Sequence, residues 1–371
     1  MKLAFSLFKF FPYGGLQRDF LRIANECLNR GHAVDVYSGS WEGEVPEGLH
    51  VSILNTCGLT NHKRLKSFVK RFREHIAENN YHAVVGFNKM PGLDMYYAAD
   101  SCFVEKVSGR GLFYKMTGRS RTYLALERAV FDRHAKTRIL LISEREKKIF
   151  QRHYDTQDSR FHLLPPGIVK DRFRLPDSDS IRRELRKDLG VGKDQHMVLM
   201  VGSGFRTKGV DRAIRSLASL DPDLLRDTFL IIVGADNPKP FLRLAARLGV
   251  RDHVKFMGGR ENVPMFFVSA DLLIHPAYRE NTGTVLLEAM LVGLPVLATD
   301  ICGYGSHIAS ADAGELVPSP FRQETLNHLL QFMLQSEKKN RWSRNGIAYA
   351  GQTDLYSLHQ KAVDTIEKVF S

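Results

Sequence analysis

Short apolar runs alternate with helical stretches along this chain, and the alternation runs, breaks once and starts again. LAFSLF (Leu3–Phe8) reads as a strand, and LQRDFLRIANECLNRG (Leu16–Gly31) as a helix that Gly31 ends. AVDVYS (Ala33–Ser38), HAVVGF (His82–Phe87) and RILLIS (Arg138–Ser143) read as further strands, the last followed by a Glu/Lys-rich helix. LLPPGI (Leu163–Ile168) interrupts with two prolines and a glycine, a domain-boundary signal. The rhythm resumes with MVLMVGS (Met197–Ser203), a helix from Gly209, TFLIIVG (Thr228–Gly234), a helix near Pro240–Leu248, HVKFMG (His253–Gly258) and DLLIHP (Asp271–Pro276). Strand–helix alternation is the signature of parallel sheets covered on both faces. The chain of 371 residues is long enough for two such domains. The expectation is an α/β protein of two Rossmann-like domains facing across a cleft. Residues 1–166 form the first, residues 167–352 the second, and a C-terminal helix over 353–371 packs back on the first.

Composition narrows the class. Hydrophobic content of 43% and charged content of 25% suit a globular chain, and no run of 18 apolar residues marks a transmembrane helix. The N-terminus begins like a signal peptide, but Lys9 interrupts it and Pro12-Tyr13-Gly14-Gly15 is no cleavage site, so it reads as the first buried strand. Cys27, Cys57, Cys102 and Cys302 are scattered, which argues against a metal cage and fits a reducing cytoplasm. No D-x-D in a plausible context and no His/carboxylate cluster occurs. Neither a metal nor a cofactor is expected.

The chemistry concentrates in residues 278–299. Glu280 and Glu288 stand eight apart, Thr282 and Gly283 sit where a helix should start, the helix runs from Thr284 to Val292, and Gly293 with Pro295 ends it before a buried strand. Glu280 then lies in the loop at the helix N-terminus and Glu288 about two turns in. A helix N-terminus offers free N–H groups and positive potential, which suit a phosphorylated or polyhydroxylated ligand. A carboxylate accepts two hydrogen bonds side by side, so Glu288 could hold a vicinal diol such as a ribose. The bland reading is a solvated glutamate on a helix that merely packs. The flanking glycine, threonine and proline favour the ligand.

Three other places carry possible sites. Gly14-Gly15, between a strand and a helix, lets backbone approach a phosphate. The full G-x-G-x-x-G is absent and no acidic residue ends the second strand, which disfavours a dinucleotide dehydrogenase. GSGFRTKG (Gly202–Gly209) puts Arg206 and Lys208 after the first strand of the second half, where open α/β sheets bind ligands, and two cations among glycines suit a diphosphate. Asp100 follows an apolar run, and Asp19 sits early in the first helix. Each is either a working carboxylate of the cleft or an ordinary capping or surface residue.

The pattern E-x7-E before a small-residue helix and a Gly-x-Pro strand resembles the retaining glycosyltransferases of the two-Rossmann-domain (GT-B) type, the group 4 family. FPYGGLQRDFLRIA (Phe11–Ala24), SWEGEVP (Ser40–Pro46), VGFNKMPGLDMYYAADSCFVEKV (Val85–Val107) and CGYGSHIA (Cys302–Ala309) are similar to the lipopolysaccharide core glucosyltransferases of that family, over nearly the whole chain. The resemblance implies glucosyl transfer from UDP-glucose to inner-core heptose, an α-1,3 linkage, retained anomeric configuration and attachment to the cytoplasmic face of the inner membrane. It implies that Lys208 and Arg206 grip the diphosphate, with Arg172 able to reach it. Arg260 and Val263 bracket the base through backbone, and Asn281, Thr282 and Gly283 meet the sugar and β-phosphate. Glu280 reads the sugar hydroxyls, Gly15 approaches the donor, and Asp100 and Asp19 stand near the anomeric centre and acceptor.

Charge supports a membrane address. Residues 1–166 hold 26 Lys/Arg against 17 Asp/Glu, while residues 167–371 hold 27 against 24. A basic half implies an anionic partner. Lys63–Arg73 carries six cations around a stripe of Leu65, Phe68, Val69 and Phe72, and Phe103–Arg138 carries nine against three acids with aromatics interleaved. Such segments read as membrane-surface elements, or as ordinary helices packed by their apolar stripe. No nucleic-acid motif is present, so nucleic acid is not expected as a partner. Two rival functions stay open on the residues: a UDP-sugar epimerase on the same scaffold, and a non-catalytic sugar-nucleotide-binding protein at the membrane.

Overall fold

The structure is a computed structural model that describes residues 1–12, 14–169, 173 and 175–370. The chain divides into two compact units, Met1–Gly167 with Ser357–Ser371, and Ile168–Tyr356.

The first unit is built on a seven-stranded sheet with the order β3-β2-β1-β4-β5-β6-β7, every pairing parallel. Its strands are β1 (Lys2–Leu7), β2 (Ala33–Ser38), β3 (His50–Ile53), β4 (Ala83–Gly86), β5 (Met95–Ala98), β6 (Arg138–Leu141) and β7 (Phe161–Leu163). Side chains alternate across the pleat, so each strand feeds two cores. Leu3, Phe5, Val85, Met95, Tyr97 and Leu140 face one side. There the helix Gly15–Asn29 buries Phe20, Ile23, Ala24 and Cys27, and the helix Leu358–Phe370 buries Leu358, Ala362, Val363 and Ile366. Ala4, Val84, Tyr96, Ala98, Ile139 and Leu141 face the other side, against the helices Asn61–Ala77 and Gly118–Phe131. The C-terminal helix is fastened by Arg30, which donates to Asp364 and Glu367 at 2.8 Å each, and by His32 on Glu367 at 2.7 Å. The helix expected over 353–371 is shorter, because Thr353–Ser357 are not helical.

The second unit has six parallel strands in the order β10-β9-β8-β11-β12-β13. They are β8 (His196–Val201), β9 (Thr228–Val233), β10 (Val254–Phe256), β11 (Leu272–His275), β12 (Val296–Thr299) and β13 (Gly314–Val317). Both faces are again dry: Leu199, Ile231, Leu273 and Val296 meet the helix Thr284–Leu291, and Val198, Leu230, Ile274 and Leu297 meet the helices Val210–Leu217 and Gln323–Gln335. In each sheet the strand order reverses once, between β1 and β4 and between β8 and β11. Ligands of open parallel sheets bind beyond the carboxyl ends of the strands at such points.

Candidate functional site at the β8–β11 switch point

The helix expected from Gly209 begins earlier and is broken. Phe205–Lys208 form one turn, Gly209 takes φ +82°, and Val210–Leu217 continue. A Cβ at Gly209 would lie 2.1 Å from the carbonyl oxygen of Pro276, so only glycine lets the β8 loop press against the β11 loop. The two loops are then tied. Tyr278 N–H donates to Thr207 O at 2.8 Å, and Arg212 donates to the carbonyls of Pro276 and Ala277 at 3.1 and 3.0 Å. The Arg212 guanidinium lies between the rings of Tyr278 and Phe321, 3.5 Å from each centroid.

This strapping brings Lys208 onto Glu280. Lys208 Nζ and His275 Nε2 both donate to Oε2 of Glu280, the histidine at 3.0 Å. No described group bonds the other carboxylate oxygen. Burial pushes the Glu280 carboxyl up, but the His275 hydrogen bond and the Lys208 charge outweigh it and hold the pKa down to about 2. Glu280 is therefore an acceptor-only carboxylate, and His275 Nε2 must carry the hydrogen. The His275 side chain is fully buried, and its Nδ1 has no partner among the described residues.

Gly283, at φ +85°, starts the helix Thr284–Leu291, where a Cβ would come within 3.2 Å of Glu280 Cγ. Tyr304 N–H donates to Thr282 O at 2.8 Å and holds the loop from behind. Asn281 and Thr282 are half-buried. The helix is one residue shorter than expected. Since Thr284 opens it, half-buried Glu288 lies one turn in, not two.

Other expected donor residues are not drawn into the cluster. Arg206 shares a four-residue helix with Lys208, but side chains two apart point different ways, and Arg206 stays exposed. Arg260 is exposed and donates from Nε to Met257 O at 2.9 Å, closing the turn after β10, and Val263 opens the helix Val263–Ser269. Arg172 lies outside the described residues. His275 is the site residue that sequence reasoning passed over. Its signal was a polar side chain ending an otherwise apolar buried strand.

In the first unit, Gly15 opens the helix Gly15–Asn29, exposed and with open space around its Cα. Asp19 accepts a hydrogen bond from Tyr97 Oη at 2.8 Å. Burial raises its pKa against the pull of Tyr97, Arg18 and Arg22. Asp100 has different surroundings. It is exposed two residues beyond β5, and it lines a depression with Lys89, Lys106 and Arg119. The segment that carries it is pinned from below. Buried Glu127 accepts from Lys89 Nζ at 2.6 Å, from the N–H groups of Phe103 and Val104 at 2.6 and 2.9 Å, and from Tyr154 Oη at 2.8 Å. Burial opposes the Glu127 charge, yet Lys89 and the backbone donors leave its pKa lowered. Among the described residues, no group of three or more His, Cys, Asp or Glu side chains gathers as a metal site would require.

Two family patterns divide the sequence between them. That of the Glycosyltransferase Family 4 proteins matches residues 13–172, and that of the Glycosyl transferases group 1 matches residues 181–349. Lipopolysaccharide glucosyltransferase WaaG of Escherichia coli K12 is 46% identical over 368 residues, 99% of this chain and 98% of that protein. The chain belongs to this glycosyltransferase family. A crystal structure of WaaG, described as a glycosyltransferase involved in lipopolysaccharide biosynthesis, superposes with a TM-score of 0.90, at 45% identity, over 98% of this chain and 99% of that one. Anabaena HepE, solved with UDP and glucose, matches with a TM-score of 0.76 over 99% of this chain and all of its own, and at 19% identity it attests the GT-B fold of this glycosyltransferase alone.

Proposed function

We propose that this glycosyltransferase moves glucose from UDP-glucose to an inner-core heptose of lipopolysaccharide, in an α-1,3 linkage and with retention. The observation that carries the reading is the Lys208–Glu280–His275 cluster at the β8–β11 switch point. Two donors occupy one Glu280 oxygen, and the other stands ready for a sugar hydroxyl. Lys208 is positioned to leave Glu280 for a diphosphate, with exposed Arg206 and, earlier in the chain, Arg172 as further cations for it. Asn281, Thr282 and Gly283 present backbone N–H groups to the sugar and β-phosphate at a helix N-terminus. Glu288 takes the ribose diol, and the turn at Arg260 and Val263 takes the base. On this reading residues 167–352 bind the donor, and residues 1–166, helped by the C-terminal helix, bind the acceptor, with Asp19 and Asp100 serving it. Cations and helix dipole stabilise the departing phosphate without a metal.

The membrane address is part of the proposal, and the fold narrows it. The stripe Leu65, Phe68, Val69 and Phe72 is buried in the sheet, so Lys63–Arg73 offers a membrane only charge. Phe131 is likewise buried, stacked on Phe150. What stands out of Phe103–Arg138 is a tip: Leu112 is 72% exposed, Phe113 91% and Met116 54%, with Arg110, Lys115, Arg119 and Arg121 around them. An apolar tip in a basic collar suits peripheral docking on an anionic leaflet such as the cytoplasmic face of the inner membrane. Among the described residues no helix is long and apolar enough to cross a membrane.

The test offers UDP-glucose, UDP-galactose and UDP-GlcNAc in turn, with and without truncated lipopolysaccharide, and repeats the set in EDTA. Glucose transfer only when acceptor is present, undiminished by the chelator, is expected. Donor isomerisation without acceptor, or donor binding without transfer, would replace the reading.

A further inference from the structure

The amino ends of β8 and β11 carry a second concavity, at the opposite end of the sheet from Lys208 and Glu280. The helix Ser178–Asp188 and the loop over 190–193, which lead into β8, enclose about 750 Å³. Its charged lining is Asp179, Arg182, Arg183, Arg186, Lys187 and Lys193. Residues four apart on a helix share a face, so the helix cations fall into two stripes. Arg182 and Arg186 are both bonded to Asp271, the residue before β11, Arg186 at 3.0 Å. Arg183 and Lys187 are exposed, as is Lys193 on the loop, and none of the three makes an ion pair with a described residue. Five cations against two carboxylates, Asp179 and Asp271, leave the concavity positive. One donor there is also unspent. Arg186 is 4% exposed. Its Nη1 donates to Ser269 O at 3.1 Å and to Asp271, and its Nη2 to Gly192 O at 2.8 Å and to Gln195 O. That uses four of its five N–H groups, and the fifth, on Nε, is buried with no partner among the described residues. A buried donor without an acceptor is costly. The same bonds fasten the loop. Gly192 N–H on Gln195 Oε1 at 2.7 Å and Lys255 Nζ on Leu189 O brace it further, so the concavity is formed before anything binds.

We infer that this concavity binds a small oligophosphate, two or more linked phosphates, at a site separate from that of the sugar nucleotide. Phosphate oxygens supply the acceptor that Arg186 Nε lacks and the charge that Arg183, Lys187 and Lys193 leave uncompensated. Arg183 and Lys187 stand about 6 Å apart along the helix axis and Lys193 sits on the other wall, so linked phosphates meet all three where a single one meets fewer. The volume falls within the range of about 300–1,000 Å³ that holds a small ligand, which favours a compact polyanion over an extended acidic protein segment. Among the described residues no aromatic ring lines it, so nothing there reads a base. A free oligophosphate and the phosphorylated headgroup of a lipid share this chemistry.

Calorimetry on the full chain, with UDP kept saturating, tests it against tripolyphosphate, ATP, inorganic phosphate and an octaglutamate peptide. One equivalent of tripolyphosphate should bind beside UDP, about tenfold to a hundredfold tighter than inorganic phosphate, and ATP should match it because no base is read. Arg183→Gln, Lys187→Gln and Lys193→Gln combined should weaken tripolyphosphate by about tenfold or more, with UDP affinity and the melting temperature of the unliganded protein unchanged. If that triple variant fails to fold, Lys193→Gln alone, on the exposed loop, should still weaken it measurably. Co-sedimentation with vesicles that carry or lack a diphosphorylated headgroup separates the sources. Extra retention by the headgroup that the variant loses assigns the site to a lipid, and no extra retention assigns it to a free oligophosphate. Absence of tripolyphosphate binding at millimolar concentration, an affinity no better than that of inorganic phosphate (an adventitious ion only), or binding that the variants retain in full would overturn the site. Tighter binding of octaglutamate than of tripolyphosphate would also overturn it, in favour of an acidic protein segment.

Discussion

The two parallel sheets are built alike and furnished differently beyond their carboxyl ends. After β8 and β11 the loops are short, glycine-rich and closed on themselves. Lys208, His275 and Glu280 form one hydrogen-bonded group behind which Thr207, Tyr278 and Arg212 are locked. After β5 the chain makes a long excursion to β6, leaves Asp100, Lys106 and Arg119 exposed, and throws out the tip at Leu112 and Phe113. The contrast teaches that a site for a small ligand of fixed shape can be assembled in advance, down to which oxygen each donor addresses. On the proposed assignment of the first unit to the acceptor, its cations and Asp100 instead stay in water.

Breaking the closed cluster should have the largest effect. Glu280→Ala and Lys208→Ala should each lower turnover by about 10²–10³ while the fold survives, as expected when one preorganised charge stabiliser is lost. His275→Ala should lower kcat as well, and His275→Gln, which keeps an N–H for Glu280, should recover part of it. Near-normal turnover in Glu280→Ala would dissolve the cluster as the donor grip. Because Glu280 is held down to about 2, the grip should not weaken as pH falls from 7 to 5.

A smaller loss is expected one turn along the helix. On the proposed ribose role, Glu288→Gln should cost a charge-assisted pair of bonds, ~1.5–3 kcal/mol, or about tenfold to a hundredfold in UDP affinity. Unchanged UDP affinity by calorimetry would remove Glu288 from the donor site.

In the first unit the sign reverses for stability. The Asp19 pKa is raised in the fold, so the folded state resists ionisation that the unfolded chain undergoes freely. That cost is absent below the ordinary aspartate pKa of about 3.9 and fully present once pH exceeds the raised value. Asp19→Asn should therefore raise the melting temperature at pH 7, with the gain vanishing near pH 3, while transfer falls and UDP binding stays. A neutral effect on melting at pH 7 would mean that the Asp19 environment is wetter than its contact with Tyr97 suggests.

The smallest effect belongs to the tip. Replacing Leu112 and Phe113 together with Ser should weaken co-sedimentation with anionic vesicles several-fold and leave UDP affinity intact. Removing nearby cations should make the remaining binding less sensitive to salt, since each contributes ~1 kcal/mol within a Debye length. Equal binding of the Ser variant would place the membrane contact elsewhere on the basic unit.

The sequence made some of this visible and hid the rest for physical reasons. Strands such as Met197–Ser203 are long apolar runs between glycines and declare themselves. The edge strands β3 and β7 are four and three residues long and mostly not buried, so they carry no run to read. The places of Glu280 and Gly283 at the helix start were legible from helix punctuation, whereas Glu288 was set a turn too deep. His275 was not legible, since within DLLIHP it looks like strand, and its partner becomes evident only once the loop folds back. The surroundings of Asp100 depend on Lys89 and Glu127, far apart in the chain, which no local pattern announces. Lys63–Arg73 shows the opposite limit: its amphipathic stripe was plain, but the same stripe serves a protein core or a membrane, and here the sheet takes it.

The division of labour between the units is tested most directly by measuring UDP affinity and glucose transfer side by side for Lys208→Ala and Asp100→Ala. The account predicts that Lys208→Ala loses UDP affinity, and that Asp100→Ala binds UDP as the unaltered protein does yet fails to transfer. An Asp100→Ala protein that loses UDP affinity but transfers normally at saturating donor would contradict it.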